Sequence, residues 1–319
     1  MNTQIITLDT IRDAAARIAP HAHVTPLLNS RSIDEIAGAT LLFKAEHLQR
    51  VGAFKFRGAC NAVWSLDEAT AQRGVVTHSS GNHGAALALA ARTRGIPAHV
   101  VVPDDAVKSK IAGIEAYGAT LHFCEPTMAA RDAAAARLQR ETGAELVHPY
   151  KDPRVIAGQG TAALELITQS GGIDVLVAPV GGGGLTSGCA IAAHGLDPDI
   201  RVFAAEPEGA ADAYESMRQG RHVTDMVPRT IAAGLRATIG AINFDLMQPH
   251  LAGVLTVSEE EIIAAMRLVW LRMKQVIEPS SATVLAAVLR YREHFAGKRV
   301  GLVISGGNVD LDRLPWIAA

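Results

Sequence analysis

The feature that most constrains the fold is an alternation of short β-branched segments with longer Ala- and Leu-rich segments between about residues 74 and 207. Apolar runs of strand length, such as Val175 to Val180 (VLVAPV), are followed by stretches with helical periodicity. This order is typical of parallel strands joined by crossover helices, and continuously apolar strands indicate a sheet covered on both faces. The pattern therefore predicts an α/β fold built on parallel sheets.

The C-terminal third also contains recognisable helix and strand signals. Ser258 and Glu261 form a capping box that predicts a helix through about Lys274, and Pro279 begins another helix. An earlier helix is predicted from about Gly160 to Gln169. No Pro- or Ser-rich linker separates these elements, so we expect any second domain to be an insertion packed beside the first.

Composition excludes several classes of function. The chain has 319 residues, of which 49% are hydrophobic, enough for one large domain or two smaller ones. Its net charge is −2. There is no basic excess for nucleic acid, and no apolar stretch approaches the roughly 18 residues that span a bilayer. Charged residues interrupt the N-terminal segment, so no signal peptide is predicted. Three scattered cysteines suit a reducing compartment, and we expect a cytoplasmic protein.

The first segment with chemical potential is GAFKFRG, in which Lys55 stands between Phe54 and Phe56. Apolar surroundings lower a lysine pKa, and a neutral amine can attack an aldehyde to form an imine. Taken alone, the segment more often represents a lysine whose aliphatic stem lies along an apolar surface.

The second segment, Ser79-Ser80-Gly81-Asn82-His83-Gly84, follows a strand and opens a helix. Hydroxyls and free backbone N–H groups at such a junction can hold an anion, and the helix dipole adds to the attraction. Ordinary helix capping is the alternative explanation.

Two further polar or glycine-rich segments follow predicted strands. Gly181-Gly182-Gly183-Gly184 can form a nest of N–H donors for a phosphate, although neither a dinucleotide fingerprint nor a P-loop fits. Ser305-Gly306-Gly307-Asn308 ends the last strand, where open parallel sheets place ligands, and a serine hydroxyl there can bond a neutral ring nitrogen. Each could be a simple turn. Together with the lysine and the anion site, they suggest pyridoxal phosphate.

Seven segments occur in the order found in one enzyme family: KAEHLQRVGAFKFRGA, THSSGNHGAALA, HPYKDPRVIAGQGT, VGGGGLTSG, AAEPEGAAD, EPSSA and SGGNVD. From about Val24 to Asp310 the chain resembles the fold-type-II pyridoxal-phosphate family of serine/threonine dehydratases, serine racemases and hydroxyaspartate dehydratases. The resemblance implies a tryptophan synthase β-like fold, with two parallel-sheet α/β domains and the cofactor in the cleft. The large domain would comprise residues 1–73 and 145–319, and the small domain residues 74–144.

The resemblance also implies roles for individual residues. Lys55 would be the Schiff-base lysine with Phe54 in contact with the cofactor. Asn82 would bind the cofactor's phenolic oxygen, and Ser305 its pyridine nitrogen. The cofactor's phosphate would be bound by Gly181, Gly182, Gly183 and Gly184. The substrate carboxylate would be bound by Ser79, Asn82 and His83.

The implied reaction is β-elimination of water from L-threonine or L-serine, which gives a 2-keto acid and ammonia with Lys55 as the base. Ser80 occupies the position of the serine that serves the opposite face of Cα in racemases, so serine racemase is an alternative. Arg131 or Arg236 could pair with a second carboxylate, which would make 3-hydroxyaspartate the substrate; an arginine on a solvated face is the more common case. A non-catalytic cofactor carrier or sensor is a further alternative, against which the presence of Lys55 and Ser80 argues.

The family resemblance maps a Mg²⁺ or Mn²⁺ site onto Glu206, the carbonyl of Ala210, and Asp212, all hard oxygen ligands. A solvated acidic loop is the alternative. The family also implies a homodimer that acts on a small amino acid.

Three positions depart from the family pattern. Ala53 replaces a frequent serine, and Ala233 replaces a usual aspartate. Tyr150 stands where some racemases carry asparagine, which favours the dehydratases.

Overall fold

The computed structural model describes residues 6–106 and 108–317, which form two sheets. The larger sheet has the strand order β1-β2-β10-β7-β8-β9, and the smaller has the order β5-β4-β3-β6. The larger sheet consists of β1 (Leu27–Leu28), β2 (Thr40–Ala45), β7 (Val175–Pro179), β8 (Arg201–Pro207), β9 (Gly253–Val257) and β10 (Arg299–Ile304). The smaller consists of β3 (Val75–His78), β4 (Ala98–Pro103), β5 (Thr120–Cys124) and β6 (Glu145–Leu146).

Strand pairing is parallel in both sheets except between β1 and β2, which confirms the predicted parallel α/β class. The helices are α1 (Leu8–Ile18), α2 (Arg31–Ala37), α3 (Lys55–Trp64), α4 (Glu68–Gln72), α5 (Asn82–Arg94), α6 (Lys108–Ala116), α7 (Met128–Thr142), α8 (Pro153–Ser170), α9 (Gly184–Leu196), α10 (Asp212–Gln219), α11 (Ala241–Met247), α12 (Glu259–Met273) and α13 (Pro279–Arg290). In the described residues, no helix is long and apolar enough to cross a membrane.

Helices cover both faces of the larger sheet, as its apolar strands predicted. In β7, Val175 and Val177 join the cluster formed with α12 and α13, whereas Leu176 and Ala178 join the cluster formed with α1, α8 and α9. Successive side chains of a strand point to opposite faces, so each face of β7 buries its own set. This double burial places the strand ends, which carry the polar loops, at the edge of a rigid core.

The smaller sheet lies between α5 and α7. Its β6 is hydrogen bonded to β3, so this sheet runs from Val75 to Leu146 although residues 145–146 were assigned to the large domain. The domain limits at 73/74 and 144/145 stay a prediction.

Helix α8 corrects one sequence-based boundary. The predicted start at about Gly160 is wrong, because the helix begins at Pro153. Asp152 caps it by accepting a hydrogen bond from the Arg154 N–H, and proline suits the first helical position. Gly158 and Gly160 lie inside the helix because other backbones approach them closely: a Cβ at Gly158 would lie 2.6 Å from the Gly58 Cα.

Candidate active site

The polar loops that follow β3, β7 and β10 converge beside the first turn of α3. The Phe54 N–H donates to the Ser305 carbonyl at 2.9 Å, and Ala53 forms an antiparallel bridge with Gly306. The Glu278 N–H donates to the carbonyl of Gly306 at 3.0 Å. These backbone bonds fix Lys55, which begins α3, next to the end of β10.

Lys55 lies in surroundings that favour a neutral amine. Its Nζ donates to the Pro149 carbonyl at 2.9 Å and lies 5.0 Å from the centre of the Phe54 ring. The side chain keeps a partial opening to solvent. Burial lowers the pKa of Lys55 from 10.5 to about 8, and the nearby charge of Glu278 opposes part of this shift. The amine can therefore gain and lose a proton near neutral pH.

The glycine loop is shaped by the tyrosine that follows Pro149. The ring of Tyr150 packs directly on Gly182, where a Cβ would collide with it. Gly183 adopts a φ of +92° and caps α9 without a side-chain hydrogen bond. The first N–H groups of a helix lack intrahelical partners, so this loop offers several donors to an anion.

Ser305 is buried at the end of β10. Its Oγ lies 3.1 Å from the Oγ of Ser281, which itself accepts the Gly306 N–H at 2.7 Å. The strand end thus presents a neutral hydroxyl rather than a carboxylate.

The loop after β3 brings four predicted residues together. Ser79 accepts the Gly81 N–H at 3.3 Å through its hydroxyl, and Ser80 precedes that glycine. The His83 Nε2 lies 3.2 Å from the Val147 carbonyl, so it carries the proton. Burial, followed by the charge of Lys55, lowers the pKa of His83 to about 3, which keeps this imidazole neutral.

Comparison with known proteins agrees with this geometry. The family model described as "Pyridoxal-phosphate dependent enzyme" matches residues 18–306. The chain belongs to this family of pyridoxal-phosphate dependent enzymes. It is 48% identical over 312 residues to the β-hydroxyaspartate dehydratase of Paracoccus denitrificans (strain Pd 1222), covering 98% of this chain and 99% of that relative. It is 49% identical over 317 residues to the serine racemase of Dictyostelium discoideum, covering 98% of each chain.

Solved structures of relatives have the same fold. The crystal structure of the Dictyostelium discoideum serine racemase gives a TM-score of 0.92, covering 96% of this chain and 99% of that one. The crystal structure of a T.th. threonine deaminase gives a TM-score of 0.91 at 44% identity, with the same coverage. These comparisons confirm the predicted family, the fold-type-II architecture and the cofactor.

The residues present in this pyridoxal-phosphate dependent enzyme fit its cofactor. A lysine of lowered pKa lies beside a neutral hydroxyl at the end of β10. The start of α9, where Gly183 makes no side-chain capping bond, leaves backbone N–H donors for a phosphate.

The two arginines considered for a second substrate carboxylate have different surroundings. The Nε and Nη2 of Arg236 donate to the Thr230 carbonyl at 3.0 and 2.7 Å. Arg131 lies in the first turn of α7, close enough to influence His78. Burial is the main cause of the lowered pKa of His78; the charge of Asp132 opposes this shift, and the charge of Arg131 adds to it. The buried Nε of Arg131 has no hydrogen-bond partner among the residues that the structure describes. Arg236 thus already uses two of its N–H groups on a backbone carbonyl, whereas the Nε–H of Arg131 has no such acceptor in the described part of the chain.

The predicted cation ligands form a buried pair of carboxylates. Glu206 is fully buried and accepts the N–H groups of Ala213 and Tyr214 at 3.0 and 2.9 Å. The Asp212 Oδ2 accepts the Ile239 N–H at 2.6 Å, while its buried Oδ1 has no partner in the described part of the chain. A solvated acidic loop is therefore excluded for this pair.

Burial of the two carboxylates disfavours their charged forms. Burial and the charge of Asp212 raise the pKa of Glu206 well above its ordinary value, and burial raises the pKa of Asp212 to about 6. Within residues 6–106 and 108–317, no three His, Cys, Asp or Glu side chains gather as metal ligands. A cation here would complete its shell with carbonyls, such as that of Ala210, and water.

No role was predicted for three residues of the quoted segments: Arg57, Glu278 and Asn308. Arg57, in the first turn of α3, makes four N–H···O bonds of 2.7–2.8 Å to the carboxylates of Glu46 and Glu165. Glu278 and Asn308 both contact Asn82. A charged residue within an apolar segment was the available signal for Arg57, but its partners are distant in sequence.

Proposed function

We propose that this enzyme eliminates water from a 3-hydroxy-amino acid, L-serine or L-threonine, and releases a 2-keto acid and ammonia. The observation that carries the proposal is Lys55, whose amine has a pKa of about 8 beside the glycine loop and Ser305. A base with a pKa near the working pH is suited to general acid–base catalysis. The names of the relatives, which include a threonine deaminase and a β-hydroxyaspartate dehydratase, support the same class of reaction.

Each residue of the site has a proposed task. When bound, pyridoxal phosphate supplies an electron sink that acidifies the substrate's α-proton. Lys55 removes that proton, and the 3-hydroxyl leaves as water after it is protonated. The unsaturated amine that results is hydrolysed to the keto acid and ammonia. Gly181, Gly182, Gly183 and Gly184 bind the phosphate, Phe54 contacts the cofactor, and Ser305 bonds its ring nitrogen.

Residues of the β3–α5 loop would bind the substrate. We assign its carboxylate to Ser79, Asn82 and His83. The single ring N–H of neutral His83 is used by the Val147 carbonyl, so His83 would bind the carboxylate through its backbone N–H in the first turn of α5. The first turn of α5 adds the favourable field of a helix N-terminus.

Serine racemisation is a second candidate, favoured by Ser80 in this same loop and by the racemases at 49% identity. Ser80 would exchange a proton with Cα on the face opposite Lys55. Ser80→Ala would then abolish D-serine formation and leave keto-acid release intact.

Dehydration of 3-hydroxyaspartate is a third candidate, favoured by the 48% identical dehydratase and by the buried Nε of Arg131, which lacks a partner among the described residues. Arginine binds a carboxylate through two parallel hydrogen bonds, so Arg131 could select a substrate with a second carboxylate. Arg131→Ala would reduce turnover of hydroxyaspartate and spare serine.

One assay panel tests these candidates. The purified enzyme is incubated with L-serine, D-serine, L-threonine and the 3-hydroxyaspartate diastereomers, and products are read for keto acid and chirality. Keto acid from serine or threonine supports the main proposal, whereas D-serine as the dominant product or turnover confined to hydroxyaspartate replaces it. Absence of turnover with cofactor bound to Lys55 would indicate a carrier or sensor. Lys55→Ala is the inactive control.

The remaining assignments are also proposals. Mg²⁺ or Mn²⁺ would bind Glu206, Asp212 and the carbonyl of Ala210, which is supported by the buried Asp212 Oδ1 that has no partner in the described residues. The family implies a homodimer, which light scattering at micromolar concentration tests. Three free cysteines, Cys60, Cys124 and Cys189, support a cytoplasmic location, which cell fractionation tests.

A further inference from the structure

Asn82 is held between two side chains that belong to the part of the chain around the larger sheet. The Nδ2 of Asn308 donates to the Asn82 Oδ1 at 2.9 Å. The Nδ2 of Asn82 donates to the two carboxylate oxygens of Glu278 at 3.2 and 3.4 Å. Asn82 begins α5 beside the smaller sheet, so these bonds connect α5 to loops that adjoin the larger sheet.

The chemistry of the two neighbours determines which way the Asn82 amide faces. The Asn308 Nδ2 can only donate and a carboxylate can only accept. A flipped Asn82 would set one NH₂ group against another and its carbonyl oxygen against Glu278. The amide therefore keeps its NH₂ on the Glu278 side, where its second N–H is available to a ligand.

Asn308 is itself fixed by contacts with the segment before Lys55. Its Nδ2 also donates to the Val51 carbonyl at 2.8 Å, so both of its N–H bonds are used. Gly52 has a φ of +70°, and a Cβ there would lie 2.6 Å from the Asn308 Oδ1. The Gly307 N–H donates to the Gly52 carbonyl at 2.9 Å. Asn308 can rotate only by losing a hydrogen bond.

We propose that Asn308 is a positioning residue that orients the Asn82 amide so that its second N–H faces the cofactor. This inference rests on the proposed role of Asn82 as the partner of the cofactor's phenolic oxygen. A negatively charged oxygen is stabilised by an N–H donor and repelled by a carbonyl oxygen. Asn308 would act on the cofactor only through Asn82.

A double-mutant cycle on Asn82 and Asn308, with no substrate present, tests the proposal. The dissociation constant of pyridoxal phosphate and the visible absorption maximum of the bound cofactor are measured for Asn308→Ala, Asn308→Asp, Asn82→Ala and Asn82→Ala/Asn308→Ala. We expect Asn308→Ala to weaken cofactor binding about fivefold, which corresponds to one lost hydrogen bond, and to shift the absorption maximum. Asn308→Asp should weaken it further, because a carboxylate would face the Asn82 carbonyl oxygen.

In the Asn82→Ala background, Asn308→Ala should change neither quantity. Asp312→Asn, a change at an exposed residue of the same C-terminal segment, is the matched control and should leave both unchanged. Effects of Asn82 and Asn308 that multiply independently would overturn the proposal, as would an unchanged spectrum and affinity in Asn308→Ala. Because no substrate is used, failure of the proposed elimination would not alter these readings.

Discussion

Two cations that lie two residues apart at the start of α3 have opposite surroundings. Arg57 is fully buried and donates to two carboxylates, whereas the Lys55 amine donates to the neutral carbonyl of Pro149. Burial lowers the pKa of both, but the charges and hydrogen bonds of Glu46 and Glu165 outweigh it for Arg57 and raise that pKa above its ordinary value. The Lys55 pKa falls to about 8.

Within one turn of α3, Arg57 serves to anchor the helix, whereas Lys55 is able to titrate. Arg57 belongs to a buried network in which two cations, Lys44 and Arg57, balance two anions, Glu46 and Glu165. This network ties α3 to β2 and α8. Lys55 is partly exposed and only the charge of Glu278 opposes the effect of its burial, so its proton can leave. The balanced network thus anchors the turn that carries the titrating amine.

The largest effect is expected from breaking the balanced network. Arg57→Met should lower the free energy of unfolding by about 3–5 kcal/mol, because it leaves two buried carboxylates without their main partner. Urea unfolding measures this loss. Arg57→Lys is the matched control: it keeps the charge but loses the planar fork, so its loss should be smaller. Equal urea midpoints for Arg57→Met and the parent protein would contradict the anchoring role.

Removing the Lys55 amine should have the opposite effect and raise the free energy of unfolding. The folded-state pKa of Lys55, about 8, is below its ordinary 10.5, so the folded apoprotein binds this proton less tightly and is destabilised at pH 7, where the amine is charged in both states. This penalty is full below pH 8 and fades as the pH rises towards 10.5. Lys55→Met should therefore stabilise the apoprotein at pH 7 by about 1–3 kcal/mol, reduced because the amine has some access to solvent.

The measurement for Lys55→Met is urea unfolding of cofactor-free protein at pH 7 and pH 10. The stability difference from the parent should shrink at the higher pH. A difference that is constant with pH would mean that side-chain packing, and not the buried charge, explains it.

Glu206 and Asp212 differ from the balanced network because both buried groups are acidic. Adding Mg²⁺ at about ten times its dissociation constant should stabilise the parent by about 1.4 kcal/mol, and chelation should remove that gain. Asp212→Asn should abolish the gain, since it removes one anionic ligand. Thermal unfolding with and without chelator checks this, and Glu215→Gln, at an exposed ion pair with Arg218, is the control. A Mg²⁺ response that survives in Asp212→Asn would exclude the proposed site.

The smallest effect on stability is expected at Ser80. Ser80→Ala should change the free energy of unfolding by less than about 0.5 kcal/mol, because the side chain is not part of the core. Its D-serine formation should nevertheless be lost if the proposed racemisation occurs. Chiral product analysis beside urea unfolding checks both, and a large loss of stability would assign Ser80 a structural role instead.

Helices and strands could be predicted from the sequence where residues close in the chain determine the backbone conformation. Ser258 caps α12 with the reciprocal Glu261 bond that the capping box requires, and the helix ends at Met273 beside the predicted Lys274. The apolar strand β7 is covered on both faces, as predicted. The start of α8 was misplaced because Gly158 and Gly160 weaken the helical signal, whereas close packing of other backbones onto them requires glycine.

The sequence by itself determined the α/β class, the order of the family's segments, and the candidate lysine and glycine loop, because strand periodicity and turn chemistry act over a few neighbouring residues. Tertiary structure alone decided the lowered pKa of Lys55, the balanced charges around Arg57 and the orientation of Asn82. Asn82 lies 196 positions from Glu278 and 226 from Asn308. Their contacts depend on how two sheets meet, and burial and charge balance exist only once distant segments share the same space.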